Sequence, residues 1–181
     1  MKTVDSIIAS VIATEGDFVN NPSDPGGATR YGITERTARN AGYFGPIKDL
    51  PIDLANRIYR TRYVLAPGFD KILAVDADIA AEMVDTGVNM GPSKPGPWLQ
   101  RALNALNQGG KRFPDLVVDG AIGPATAGAL RTYLAWRGAD GKKVLLRVLN
   151  ALQAVAYLEI VEGRPASEEF FYGWILNRVE V

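Results

Sequence analysis

Two carboxylates and a hydroxyl, Glu15, Asp24 and Thr29, fall where an apolar helix gives way to a loop rich in Asp, Pro and Gly. Carboxyl pairs of this kind cleave acetals such as glycosidic bonds. One carboxyl group protonates the leaving oxygen, while the other, ionised, activates water or stabilises an oxocarbenium-like transition state. The two must sit in different surroundings to hold different protonation states. Val4, Ile7, Ile8, Val11 and Ile12 recur at i, i+3, i+4, i+7 and i+8, one face of a helix. Glu15 continues that stripe, four residues past Val11 and seven past Ile8. The spacing predicts a carboxyl group at the edge of the core, where burial favours the neutral form that a general acid needs. The alternative is a solvated glutamate at a helix end. Asp24-Pro25-Gly26-Gly27 has a tight-turn composition, since Pro presets φ and Gly supplies positive φ. In that wetter setting Asp24 is either the ionised partner carboxylate or only the cap of its own turn, and the sequence leaves both open. The hydroxyl of Thr29 is placed to orient a water for such a partner.

Helical patterns carry these residues. Thr34 predicts an N-cap for a helix over Glu35 to Asn40, ended by Gly42. Further helices are expected over Pro51 to Val64, with Leu54, Ile58 and Tyr59 inward, and over Asp76 to Asn89. The second of these brings Asp85 and Asn89 onto one face at i and i+4. Gly91-Pro92-Ser93-Lys94-Pro95-Gly96-Pro97 is the strongest punctuation and sets the expected lobe boundary, 1–91 and 92–181. Beyond it, helices are expected over Trp98 to Leu106, Thr126 to Trp136 and Val144 to Val161. The last buries Leu145, Val148, Leu149, Leu152, Val155 and Leu158, and a terminal helix starts at Ser167. The fold expected is all-α, with a small β-hairpin near Gly26 to Ile33. Tyr31 and Asn89 are the candidate sugar contacts, because aromatic faces stack on sugars and an amide both donates and accepts. The competing roles are core packing for Tyr31 and a helix C-cap for Asn89. Asp85 is expected to orient Asn89, Trp174 to pack in the core, and Arg178 to pair with a buried carboxylate that the sequence does not specify.

Composition removes other chemistries. The chain has no Cys and no His among its 181 residues. That excludes thiol nucleophiles, disulfides and Ser-His or Cys-His pairs, and it argues against a zinc site, so neither metal nor cofactor is expected. Twenty basic residues balance twenty acidic ones, which gives no sign of nucleic acid or anionic membrane as a partner. No stretch reads as the ~20 consecutive apolar residues of a membrane span. Met1 to Ala13 is amphipathic and interrupted by Asp5, unlike a signal peptide. No heptad stands out, and a monomer is expected.

The string from Glu15-Gly16 through Asp24-Pro25-Gly26-Gly27 to Thr29 and Gly32-Ile33-Thr34 resembles the signature of glycoside hydrolase family 108. That family opens on Glu-Gly-Gly, where this chain has Asp17 at the third position. Asp85-Thr86-Gly87-Val88-Asn89-Met90-Gly91 is similar to a second family stretch, and Phe170 to Val179 resembles its closing aromatic motif. Leu99 to Leu103, with Asp119-Gly120-Ala121-Ile122-Gly123-Pro124-Ala125-Thr126, looks like a peptidoglycan-binding-like half. That half reads either as a wall-binding module or as scaffold. The resemblance implies a lysozyme-like helical fold. It also implies an endolysin-type N-acetylmuramidase that cuts the β-1,4 bond between N-acetylmuramic acid and N-acetylglucosamine with Glu15 as general acid. The spacing of Glu15, Asp24 and Thr29 is similar to the triad of T-even-phage-type lysozymes, which supports Asp24 and Thr29 by analogy. A lytic transglycosylase and a non-catalytic wall-binding protein are the alternatives. The implied partner is the peptidoglycan glycan strand. Synthesis is expected in the cytoplasm, with a holin or other export route to the cell wall, in phage lysis or in a secretion-accessory role.

Overall fold

The computed structural model describes residues 3–19 and 28–179. Its first helix, α1 (Val4–Glu15), starts on a reciprocal cap: the Thr3 hydroxyl accepts from the Ser6 N–H at 3.1 Å, and the Ser6 hydroxyl accepts from the Thr3 N–H at 2.8 Å. Gly16, at φ +75°, ends it. Three short antiparallel strands follow in the order β1 (Phe18–Val19), β2 (Thr29–Arg30) and β3 (Ile33–Thr34). Thr29 faces Val19 on one side and Thr34 on the other. The β2–β3 turn places both Tyr31 (φ +54°) and Gly32 (φ +69°) in the left-handed region, as a two-residue hairpin of this twist requires. The expected hairpin is therefore a three-stranded sheet that recruits Phe18–Val19 and turns at Tyr31-Gly32.

Thr34 then caps α2 (Glu35–Asn40), accepting from the Thr37 N–H at 3.2 Å, as its position predicts. The helix expected from Pro51 divides: α3 (Ile52–Arg60) continues into a π-helical turn, Thr61–Leu65. After the short α4 (Asp70–Leu73), Asp76 caps α5 (Ala77–Met90) by accepting from two N–H groups at 3.0 Å each. Helix α5 is buried on nearly every side from Ile79 to Gly87, and so forms the core against which α1, α4, α6 and α7 pack.

In the second half, α6 (Pro95–Leu106) runs beside α7 (Pro124–Gly163). The buried Gln100 of α6 clasps the intervening loop: its amide donates to the Asp119 carboxylate at 2.9 Å and accepts from the Gly120 N–H at 2.8 Å. The Gln100 amide and the Ala121 N–H together hold the Asp119 carboxyl below its usual range. Gly96 lies so close that a Cβ there would stand 2.6 Å from the Gly120 carbonyl oxygen. The Asp119 to Thr126 motif thus does structural work in the fold.

Two sequence expectations change in α7. The helices expected on either side of Gly138–Gly141 form one helical run, broken only at Gly138 (φ +59°, ψ −146°) and bridged by the Tyr133 hydroxyl donating to the Gly141 carbonyl at 2.9 Å. Beyond Leu149 the expected apolar stripe is not the buried one. Val155 and Leu158 are exposed, whereas Gln153, Ala156 and Tyr157 are buried. The reason is the last helix, α8 (Glu168–Arg178), which covers the Tyr157 side and stacks Trp174 on Tyr157 at 5.0 Å. Trp174 is accordingly half-buried between helices. By length and composition α7 is also long and apolar enough to cross a membrane, where the sequence predicts no membrane span. It packs along α6 and also meets α4, α5 and α8.

Candidate active site

Glu15 is the last residue of α1 and is exposed, not tucked at the edge of the core as the apolar stripe predicts. The stripe itself is real, with Val4, Ile7, Ile8 and Ile12 buried. It fails at its final turn, where Ala13 and Thr14 are also exposed. The Glu15 carboxylate is nevertheless tightly seated on one side. A Cβ built on Gly32 would stand 2.7 Å from Glu15 Oε2 and 2.8 Å from the Tyr59 hydroxyl oxygen. The carboxylate therefore lies over the bare backbone of Gly32, beside the phenol of Tyr59.

Tyr59 holds that arrangement. Its hydroxyl donates to the Tyr31 carbonyl at 2.8 Å, pinning the left-handed turn from α3. Burial, reinforced by the negative charge of Glu15, pushes the Tyr59 phenol up to about 12, so it remains a neutral donor. Left-handed backbone at a residue with a side chain costs roughly 1–2 kcal/mol; the bond from Tyr59 and the 3.1 Å bond from the Tyr31 N–H to the Gly16 carbonyl help to offset it. Sequence reasoning missed Tyr59 as a partner of this site and took it only as an inward-facing residue of its helix. Gly32 carried the only available signal, a glycine two residues before a helix cap.

The site residues divide between two grooves flanking α1. One, of about 330 Å³, is lined by Ser6, Ser10, Thr14 and Glu15 of α1, by Asp85 and Asn89 of α5, and by Arg178 of α8. The structure thus brings Glu15 and Asn89 to one wall-to-wall groove. Ser6, Ser10 and Thr14 form a row at i, i+4 and i+8 beside the apolar stripe, a polar periodicity that the sequence also carries. Asn89 is exposed, and its amide donates to the Asp85 backbone carbonyl at 2.7 Å. It is the backbone of Asp85, and not its carboxylate, that orients Asn89. The Asp85 carboxylate is buried and accepts from Arg178 at 2.9 Å, so the buried partner of Arg178 is now identified. Its other oxygen, Oδ2, is buried and has no hydrogen-bond partner among the described residues. Burial, followed by the charge of Asp85, likewise pushes the nearby Tyr157 phenol up to about 12.

The second groove, of about 310 Å³, lies on the other side of α1 and is lined by Ile12, Ala13, Asp17, Tyr31, Ile52 and Asn56 among others. Tyr31 therefore faces a different groove from Asn89. Its ring is half-buried, with the Arg30 guanidinium 5.0 Å from its centroid. Thr29 is half-buried in the middle strand of the sheet. Asp24 lies outside the described residues. Asp17, at the position where the family carries glycine, accepts from Arg30 at 2.8 Å and so ties the chain just after α1 to β2. Among the described residues, no group of three or more acidic side chains is arranged to hold a metal ion.

Comparison with known proteins addresses the family and the fold. Residues 8–91 match the family model described as Glycosyl hydrolase 108. Residues 8–91 belong to that family. Residues 94–179 match a second model, described as a Predicted Peptidoglycan domain. Together they make the protein a glycoside hydrolase acting on peptidoglycan. A solved structure, that of Brucella abortus SagA, matches with a TM-score of 0.57 and 26% identity over 92% of this chain and 84% of that one. The lysozyme-like helical fold follows from the same likeness. Among curated proteins, none matches the sequence.

Proposed function

We propose that this glycosyl hydrolase 108 protein is an N-acetylmuramidase with Glu15 as its general acid. The observation that carries the reading is the seat of Glu15: a carboxylate held over the backbone of Gly32, beside the neutral phenol of Tyr59, at the end of a polar groove. A glycan strand lying along α1 would meet the hydroxyls of Ser6, Ser10 and Thr14 and the amide of Asn89 before its scissile oxygen reached Glu15. There the Glu15 carboxyl group would donate a proton to the leaving oxygen. As the C1–O bond breaks, positive charge develops on the muramoyl ring. Asp24 is the proposed ionised partner for that charge or for the attacking water, and Thr29 the proposed orienting hydroxyl. Tyr31, across α1, contacts a sugar only if the strand bends round the end of that helix. The biological role we propose is endolysin-type wall cleavage by a monomer that reaches peptidoglycan through a holin or another export route.

Mass spectrometry of purified peptidoglycan digested by the wild type and by Glu15→Gln tests the reading. Reducing N-acetylmuramic ends that disappear in the variant are the expected result. Anhydromuramic ends would reassign the protein as a lytic transglycosylase. Intact glycan with the wild type would leave a wall-binding protein.

A further inference from the structure

Arg178 comes from the last helix, yet it lines the same groove as Glu15, 163 positions earlier in the chain. Its side chain is 40% exposed, while its partner Asp85 is 4% exposed. A guanidinium carries five N–H donors in a rigid fork. One is committed to Asp85 Oδ1, and this buried anchor tethers a guanidinium that also lines the groove. Among the described residues, Arg178 is the only cationic side chain lining that groove. The remaining polar lining is neutral or acidic, so an anion entering it has one place to go.

We propose that Arg178 is a specificity residue that binds a carboxylate carried on the arm at O3 of the muramoyl sugar. This rests on the reading of the protein as a muramidase. Peptidoglycan differs from chitin in that arm: it ends in a lactyl carboxylate or, where a stem peptide is attached, in the carboxylates of the peptide. A planar carboxylate fits the free edge of a guanidinium through paired N–H···O bonds. Asp85 offsets part of the positive charge of Arg178, so the gain is smaller than a lone arginine would give. An advantage of about tenfold in affinity over a neutral glycan is expected, the lower end of what a charge-assisted hydrogen bond supplies.

The test uses full-length Glu15→Gln and calorimetric titration with three tetrasaccharides: chitotetraose, the alternating N-acetylglucosamine–N-acetylmuramic acid tetramer with free lactyl carboxylates, and that tetramer bearing tripeptide stems. The expected result is tighter binding of one or both muramoyl ligands than of chitotetraose, with the advantage abolished by adding Arg178→Gln. A gain with the free tetramer alone identifies the lactyl carboxylate as the group read, and a gain with the stem-bearing ligand alone identifies the peptide. Equal affinity for all three ligands, or an advantage that survives Arg178→Gln, overturns the proposal. Because Arg178→Gln strands the buried Asp85 charge, Asp85→Asn with Arg178→Gln is titrated beside it, and loss of the advantage must recur there. Wild-type cleavage of purified peptidoglycan is measured in parallel. Intact cleavage with equal binding removes only the Arg178 assignment, whereas absent cleavage removes the muramidase reading beneath it.

Discussion

The two grooves beside α1 are similar in volume, about 330 and 310 Å³, but they are built differently. The groove of Tyr31 and Ile52 is assembled from α1, the β2–β3 turn and α3, all within the first third of the chain. Its walls include Ala9, Ile12, Ala13 and Ile52, with few polar groups. The groove of Glu15 and Asn89 takes one wall from α1, another from the central helix α5 and a third from Arg178 near the far end of the sequence. Its polar groups are locked from behind, Asn89 by the Asp85 carbonyl and Arg178 by the Asp85 carboxylate. A site that must discriminate a polar polymer needs donors and acceptors held at fixed positions. Asp17, held by Arg30, and Asn56, held by the Ile52 carbonyl, give the Tyr31 groove two such groups, whereas the groove of Glu15 adds a row of hydroxyls and a guanidinium anchored on a buried carboxylate. What differs is the lining: one groove is mostly apolar, and the other sets hydroxyls beside an amide and a guanidinium that both rest on Asp85.

Substitutions can break this contrast, beginning with the largest effect. Glu15→Gln should lower glycan cleavage by about 10²–10⁴-fold, the usual contribution of a general acid, measured as release of reducing ends. Ser10→Trp, which fills the polar groove from an exposed helix position, should reduce cleavage by about tenfold or more by displacing substrate contacts. Ile52→Trp in the apolar groove, where Ile52 is 51% exposed, should change it by less than about twofold, as surface substitutions away from a site do. Comparable losses in both Trp variants would show that the strand uses both sides of α1. Arg178→Met should cost about 3–5 kcal/mol of stability by leaving Asp85 charged and unpaired, read from urea unfolding. Asp85→Asn with Arg178→Met should recover most of that loss.

Gly32→Ala tests the seat of Glu15. An added methyl would meet the Glu15 carboxylate and the Tyr59 hydroxyl at a positive φ. A loss of about 1–2 kcal/mol is expected from the backbone alone, with cleavage falling because the carboxylate is displaced. The smallest effect concerns alkaline stability. The Tyr59 phenol is pushed up from 10.0 to about 12 in the fold. The folded state therefore binds this proton more tightly than the unfolded chain. The resulting stability is complete below pH 10 and is lost as pH rises toward 12. Tyr157 behaves alike. Thermal melts of Tyr59→Phe should therefore show a shallower decline over that window than those of the wild type.

Much of this was legible without coordinates. Local signals sufficed for α1, for the Thr34 cap and for the stripe of Ile7, Ile8 and Ile12, because capping and helical periodicity act within a few residues. The same reasoning misjudged Glu15, whose exposure depends on where the neighbouring helices stop, and Val155 and Leu158, whose face was decided by the docking of α8 on Tyr157. Periodicity identifies a face but not the partner that will cover it.

The sequence alone determined the chemistry on offer. Without His or Cys, carboxylates remain as the acid and base groups, and the Glu15-Gly16 string marks the family. Tertiary structure decided which groups meet: Gly32 and Tyr59 with Glu15, Asp85 with Arg178, Asn89 and not Tyr31 in the groove of the acid. Residue type is fixed by the covalent chain, whereas contacts between residues tens of positions apart form only when the packing of α1, α5 and α8 repays the entropy of bringing them together.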